Sequence, residues 1–127
     1  MEKTKYLFVL LLAISLVSFK FLNQDNPAKQ IIGTWIAERA TINERRFYKS
    51  NGICKTFIKN KLYKTYRYTL TQEKSLDGTL TFDVLTLTNI NDSEDVYDYT
   101  IDAMTDSIMR LEWSKRPGHY LLYNKHK

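Results

Sequence analysis

The feature that most constrains this chain is a period of two in hydrophobicity that returns in segment after segment. Over residues 66–71, Tyr66, Tyr68 and Leu70 face one way and Arg67, Thr69 and Thr71 the other. Over residues 79–84, Leu80, Phe82 and Val84 alternate with Thr79, Thr81 and Asp83. Tyr97, Tyr99 and Ile101 oppose Asp98, Thr100 and Asp102, and Met109, Leu111 and Trp113 oppose Arg110 and Glu112. Successive side chains of a strand project to opposite faces, so such segments describe sheet with one face in a core and one in water. Parallel strands covered by helices on both sides would instead read as continuous apolar runs. The expected class is therefore all-β and antiparallel, and the many threonines and aromatic residues suit a pleated, half-buried surface.

Turn residues cut the chain at short intervals: Asn51-Gly52, Asn60-Lys61, Asp77-Gly78, Asn91-Asp92-Ser93, Asp106-Ser107 and Pro117-Gly118. They bound about eight strands near residues 31–38, 45–50, 53–59, 63–72, 79–89, 95–102, 108–114 and 119–124. Short connections between consecutive strands imply a meander, and closing a meander of eight into a small barrel leaves no free edge. The alternation slips phase once, where Leu85 follows Val84 directly, and a bulge or bend is expected there. The inward set is then Trp35, Phe57, Tyr66, Tyr68, Leu70, Leu80, Phe82, Tyr97, Tyr99, Ile101, Met109, Leu111 and Trp113.

Ahead of the barrel, assigned to residues 31–127, lie two segments of other character. Residues 6–19 carry no charge and follow a short basic start, the length of a secretory signal and short of the roughly 20 residues that span a bilayer. Lys20 is followed by Phe21 and Leu22, and no Ala-x-Ala triplet marks a cleavage site. Residues 1–22 are thus either a signal peptide or an uncleaved membrane anchor helix, residues 23–30 a polar linker, and the protein is expected to be exported to the periplasm or cell envelope. Cys54 is the single cysteine, so no intrachain disulfide can staple the domain, and a buried small hydrophobe is its expected role.

No constellation for catalysis emerges. His119 and His126 are the only histidines, no zinc-ligand spacing is present, and no glycine-rich phosphate loop or Gly-x-Ser-x-Gly occurs. Asp92, Glu94, Asp95 and Asp98 crowd one turn without the spacing of a calcium loop and read as a solvated acidic turn. The expectation is a non-enzyme without cofactor or metal. Charge is divided unevenly: residues 28–76 hold 11 basic and 3 acidic side chains, residues 77–127 hold 5 basic and 9 acidic. Lys49, Lys55, Lys59, Lys61, Lys64 and Arg67 span consecutive hairpins as a positive flank. Export argues against nucleic acid as its partner, and an anionic envelope component such as lipid headgroups or polysaccharide suits it better.

Tyrosine is frequent, and each buried hydroxyl needs a hydrogen-bond partner that leucine would not. Tyr66, Tyr68, Tyr97 and Tyr99 are accordingly the candidate lining of a site for a small apolar or amphipathic ligand, with Tyr97 and Tyr99 nearest a mouth beside the acidic turn. The competing account is that these rings fill the core. On it, the domain has a structural or protein-interaction role in the envelope, which is the first expectation; ligand binding is the alternative.

Ile32-Gly33-Thr34-Trp35 opens the first strand with a Gly-x-Trp, and an antiparallel meander follows. The pattern resembles the lipocalins and calycins, and more closely the short lipocalin-like domains of exported Bacteroidota proteins. The aromatic-Lys-Ser-Asn-Gly run at residues 48–52, and Tyr99-x-Ile101 followed by Met109-x-Leu111, resemble those domains too, over residues 31–123. The chain is shorter than a full lipocalin and has no cysteine between residues 15 and 25 to carry a lipid. The resemblance implies that Gly33 and Trp35 close one end of the barrel and that a basic side chain late in the chain lies against the indole. Lys115 or Arg116 is the expected match, with Arg110 a poorer one.

Overall fold

Eight strands form where the alternating segments lie. The computed structural model describes residues 26–38 and 43–127. The expected signal or anchor helix over residues 1–22 and the first three residues of the linker lie outside the described residues. The first element, α1 (Pro27–Gln30), is one helical turn at the end of that linker; Asn26 caps it by accepting a hydrogen bond from Ala28 N at 3.1 Å, and Pro27 supplies its preset φ at the start. The strands follow as β1 (Gly33–Ala37), β2 (Glu44–Tyr48), β3 (Ile53–Ile58), β4 (Lys61–Lys74), β5 (Thr81–Asn89), β6 (Asp92–Met104), β7 (Ile108–Trp113) and β8 (Tyr120–Lys125).

They pair in sequence order, all antiparallel, and β8 returns to β1, so the sheet closes into a barrel without an edge. Turn chemistry explains the tight hairpins. Lys59 and Asn60 both take positive φ, as a two-residue link between right-twisted strands requires. In the β4–β5 turn the Asp77 carboxylate accepts hydrogen bonds from Ser75 Oγ, Thr79 N and Thr79 Oγ1, which hold its pKa down at about 2.

Register decides which alternate residues enter the core. Leu85 and Leu87 pair with Tyr99 and Tyr97 and are buried inside. The ladder runs unbroken through Val84 and Leu85, so the expected bulge there is absent; the shifts lie instead at Thr56/Phe57, Thr88/Asn89 and Ile101/Ala103. With the pairing of β5 continuous, Phe82 and Val84 fall on the outer face, where both line a groove with Thr100, and Leu80 is exposed in the turn. Phe57 is also outward, because it pairs with outward Arg45. The other expected inward residues, from Trp35 to Trp113, join the core cluster, with Tyr48 and Tyr123 added to it. Cys54 is fully buried, and burial raises its thiol pKa to about 11.

Candidate functional site

The two ends of the barrel are built differently. At the end where α1 sits, Trp35 is fully buried and donates from Nε1 to Ile31 O at 2.8 Å, binding the strand to the helical turn before it. The cation on its ring is Lys125, with Nζ 5.4 Å from the ring centroid and donating to Gln30 O at 2.9 Å. Lys125 reaches this place because β8 pairs with β1 and sets it opposite Trp35. Lys115 and Arg116 belong to the exposed β7–β8 turn at the other end, and Arg116 lies over Trp113 at 5.5 Å. The residue expected to cover Trp35 is thus corrected by register: a side chain near the end of β8, not one in the turn before it. Gly33 belongs to the same closure. Its φ is +131°, which calls for glycine, and a Cβ there would stand 2.8 Å from Lys125 Cε and push the end of that side chain off its seat.

Inside the wall, one inward row crosses four strand pairs: Lys125, Trp35, Arg46, Thr56 and Lys64 stand opposite one another in turn. Arg46 is the buried cation of this row. It donates from Nε to Glu44 Oε1 at 2.8 Å, and from its two terminal nitrogens to Tyr48 Oη and Tyr99 Oη at 3.4 Å each. Its guanidinium also lies over the rings of Tyr123, at 4.9 Å, and Tyr99, at 5.4 Å. Tyr123 donates in turn to both oxygens of Glu44, at 3.3 and 3.2 Å. Burial works against the arginine charge, but the Glu44 carboxylate and the surrounding tyrosine oxygens outweigh it, and the pKa lies well above the ordinary arginine value. Burial also pushes the Tyr48 and Tyr123 hydroxyls well above the ordinary phenol range, so they stay protonated.

Beyond Arg46 the inward row ends at a polar rim around Lys64. Lys64 faces inward rather than joining the outer positive flank, and its Nζ donates to Asp95 Oδ2 at 2.7 Å. This hydrogen bond keeps the lysine pKa raised and the aspartate pKa lowered. Asn89 Nδ2 donates to the same Asp95 oxygen, so one member of the acidic turn is held to the wall. Tyr97 lies here, 6.2 Å from Tyr66 edge to face, 6.4 Å from Tyr99 stacked, and 6.2 Å from Trp113. Of the four expected lining tyrosines, Tyr66, Tyr97 and Tyr99 therefore meet as one group. Tyr68 departs from it: its hydroxyl donates to Lys49 O and its ring packs edge-on against Tyr48, 5.2 Å away, toward the closed end. Burial raises the Tyr66 hydroxyl pKa to about 12.

Among the described residues Gln30 Oε1 at the closed end and Trp113 Nε1 at the other end are buried without a hydrogen-bond partner, and Thr56 Oγ1 has only the Cys54 thiol beside it. Each such atom costs about 1–3 kcal/mol when left dry and unpaired. Among the described residues no group of His, Cys, Asp and Glu is arranged to hold a metal.

Sequence reasoning missed Arg46, Glu44, Tyr48 and Tyr123. The segment Glu44-Arg45-Arg46-Phe47-Tyr48 offers one arginine and one aromatic to either face, so alternation alone cannot choose between Arg46 with Tyr48 and Arg45 with Phe47. What decides it is the pairing with β1, which sets Arg46 opposite inward Trp35. The closed eight-stranded antiparallel meander is consistent with a calycin or lipocalin-like fold. Comparison of the chain with protein families, with curated proteins and with solved structures gives no match.

Proposed function

We propose that this chain is a non-catalytic binding module that holds a small amphipathic ligand inside its barrel, reached from the end where Tyr97, Trp113 and Lys64 gather. The observation that carries this reading is the unused hydrogen-bonding capacity around a buried arginine. Arg46 meets two tyrosine hydroxyls at a long 3.4 Å, Thr56 Oγ1 has only the Cys54 thiol beside it, and Trp113 Nε1 has no partner. A barrel filled only for stability gains from pairing such groups or replacing them by apolar ones. A ligand with a polar head and an apolar body fits the arrangement. Its head takes hydrogen bonds from the tyrosines and the indole, and its body lies on the rings of Tyr66, Tyr97 and Tyr99.

Membership in the lipocalin-like domains of exported proteins belongs to the same proposal. Gly33, Trp35 and a cation on the indole support it, with Lys125 in the place expected of Lys115 or Arg116. Export to the periplasm or envelope rests on residues 6–22 and is tested by fractionating cells that express the full chain.

The test of binding is titration with an apolar fluorescent probe, read by probe emission and by tryptophan quenching. Saturable binding that Tyr97→Ala weakens about fivefold, with loss of stability below about 1 kcal/mol, supports the site, because a rim residue packs against fewer neighbours than a core residue. Absence of saturable binding, with several kcal/mol lost on truncating Tyr97, would return these rings to the role of core filler.

A further inference from the structure

The outer face of the β1–β4 half takes no part in the interior site, and its side chains follow a pattern of their own. In one cross-strand row Ile36 stands beside Arg45, Arg45 beside Phe57, and Phe57 beside Leu62. In the next row Thr34 stands beside Phe47 and Phe47 beside Lys55. In the third, Ile53 stands beside Arg67. Cations and apolar groups thus alternate across neighbouring strands on one curved face.

The apolar members remain in reach of solvent: Phe47 is 37% exposed and Leu62 56%. Phe47 and Phe57, with Thr34, Arg45 and Asn60, line a shallow groove of about 350 Å³. Among the described residues, Arg45, Lys55 and Arg67 have no ion-pair partner, and neither have Lys59 and Lys61 at the edge of the face. The carboxylate of β2 is turned inward to Arg46, and Glu73 stands at the far end of β4. The outer face of the other half is acidic by contrast, with Asp98, Glu112 and Asp102.

We infer that this outer face of β1–β4 docks on an anionic lipid surface, its cations meeting headgroup phosphates while Phe47 and Leu62 enter the headgroup layer. Unpaired cations interleaved with exposed apolar side chains satisfy both parts of a charged bilayer surface at once. A nucleic-acid strand would use the cations and leave the aliphatic Ile36 and Leu62 without a partner. The course of the chain agrees. The apolar segment over residues 6–22 ends eleven residues before Gly33, and Ile32 and Gly33 border a second groove on Phe47. A bilayer that retains that segment keeps this face within reach of its surface.

The test is sedimentation of the full chain with vesicles of phosphatidylcholine alone and of phosphatidylcholine mixed with phosphatidylglycerol. Every variant shares residues 1–25, so association through the apolar segment cancels from the ratios. The expected result is tighter binding to the mixed vesicles, weakened by salt. The triple variant Arg45→Glu, Lys55→Glu, Arg67→Glu should lose it about a hundredfold, about fivefold per cation removed as about 1 kcal/mol each requires. Phe47→Ser should weaken binding while leaving the β circular dichroism spectrum unchanged. Lys115→Glu with Arg116→Glu, two reversals in the β7–β8 turn against three on the β1–β4 face, should matter about twofold or less. Equal binding to both vesicle types overturns the proposal, as does an equal loss per reversed charge from the Lys115 and Arg116 change, which would mean net charge alone. A dimer in the absence of lipid that Phe47→Ser dissolves overturns it in favour of a second copy of this chain.

Discussion

Lys125 and Arg46 flank the same tryptophan in the same inward row, yet they serve opposite ends of the barrel. Lys125 donates to a neutral peptide carbonyl, Gln30 O, and covers the Trp35 ring. Nothing else is asked of it, and the result is a plug of helix, indole and ammonium. Arg46 has a carboxylate and three tyrosines around it and is almost wholly buried. Its stem cannot reach water, so its charge has to be met by Glu44 and by oxygen atoms inside the wall. The difference teaches that an inward cation becomes part of a site when its partners are side chains that can rearrange, and part of the frame when its partner is backbone.

Four measurements test the contrast between Lys125 and Arg46. The largest effect belongs to the closed end: Trp35→Ala should cost about 3–5 kcal/mol in denaturant unfolding, since a fully buried indole, its hydrogen bond to Ile31 and the seat of Lys125 are all lost. A loss under about 1 kcal/mol would show that the plug does not hold the barrel shut.

Glu44→Gln should follow at about 3 kcal/mol, because it removes the carboxylate and leaves the Arg46 guanidinium buried without its counter-charge. Glu44→Gln combined with Arg46→Leu should recover part of that loss. If the double variant is no better than the single one, the pair is not coupled as described.

Alkaline titration reads the buried tyrosines of the Arg46 side. The Tyr66 pKa is raised to about 12 and those of Tyr48 and Tyr123 are raised further by burial, all against an unfolded value near 10. In the unfolded chain these hydroxyls lose protons first, so the stability they contribute is complete below about pH 10 and is lost as pH rises toward 12 and beyond. The expected loss for Tyr66 alone is on the order of 2 kcal/mol, read as a falling unfolding midpoint with a further rise in tyrosinate absorbance on unfolding. Stability unchanged from about pH 9 to 12 would place these hydroxyls in water.

The smallest effect is the Trp35 cation. Lys125→Ala should cost about 1 kcal/mol, combining ring contact, stem packing and the hydrogen bond to Gln30, while Lys115→Ala and Arg116→Ala should each stay within about 0.5 kcal/mol. The reverse order would return the closing role to the β7–β8 turn.

Strand positions were legible because turn residues and alternation are local. Every strand falls within about three residues of its expected bounds, and Trp35, Tyr66, Tyr97, Tyr99, Met109 and Leu111 face inward as their alternation demands. Alternation failed where a segment carries apolar residues on both faces. Around Val84 and Leu85 the chain reads as two phases, and the sheet keeps the one that sets Leu85 and Leu87 against Tyr99 and Tyr97. Phe57 went the same way, placed outside by its partner Arg45.

By itself, then, the sequence determined that this chain makes an antiparallel meander of eight strands with an aromatic interior, since side-chain period and turn chemistry act over a few residues. Closure into a barrel was already expected from the turn spacing; only the tertiary structure decided the register in which β8 meets β1, and that register brings Lys125 to Trp35. It also decided that Arg46 rather than Arg45 enters the barrel, next to Tyr123 from the far end of the chain. A strand specifies that two faces exist, but which face is inside follows from register with partners distant in sequence, and a shift of one residue would exchange them all.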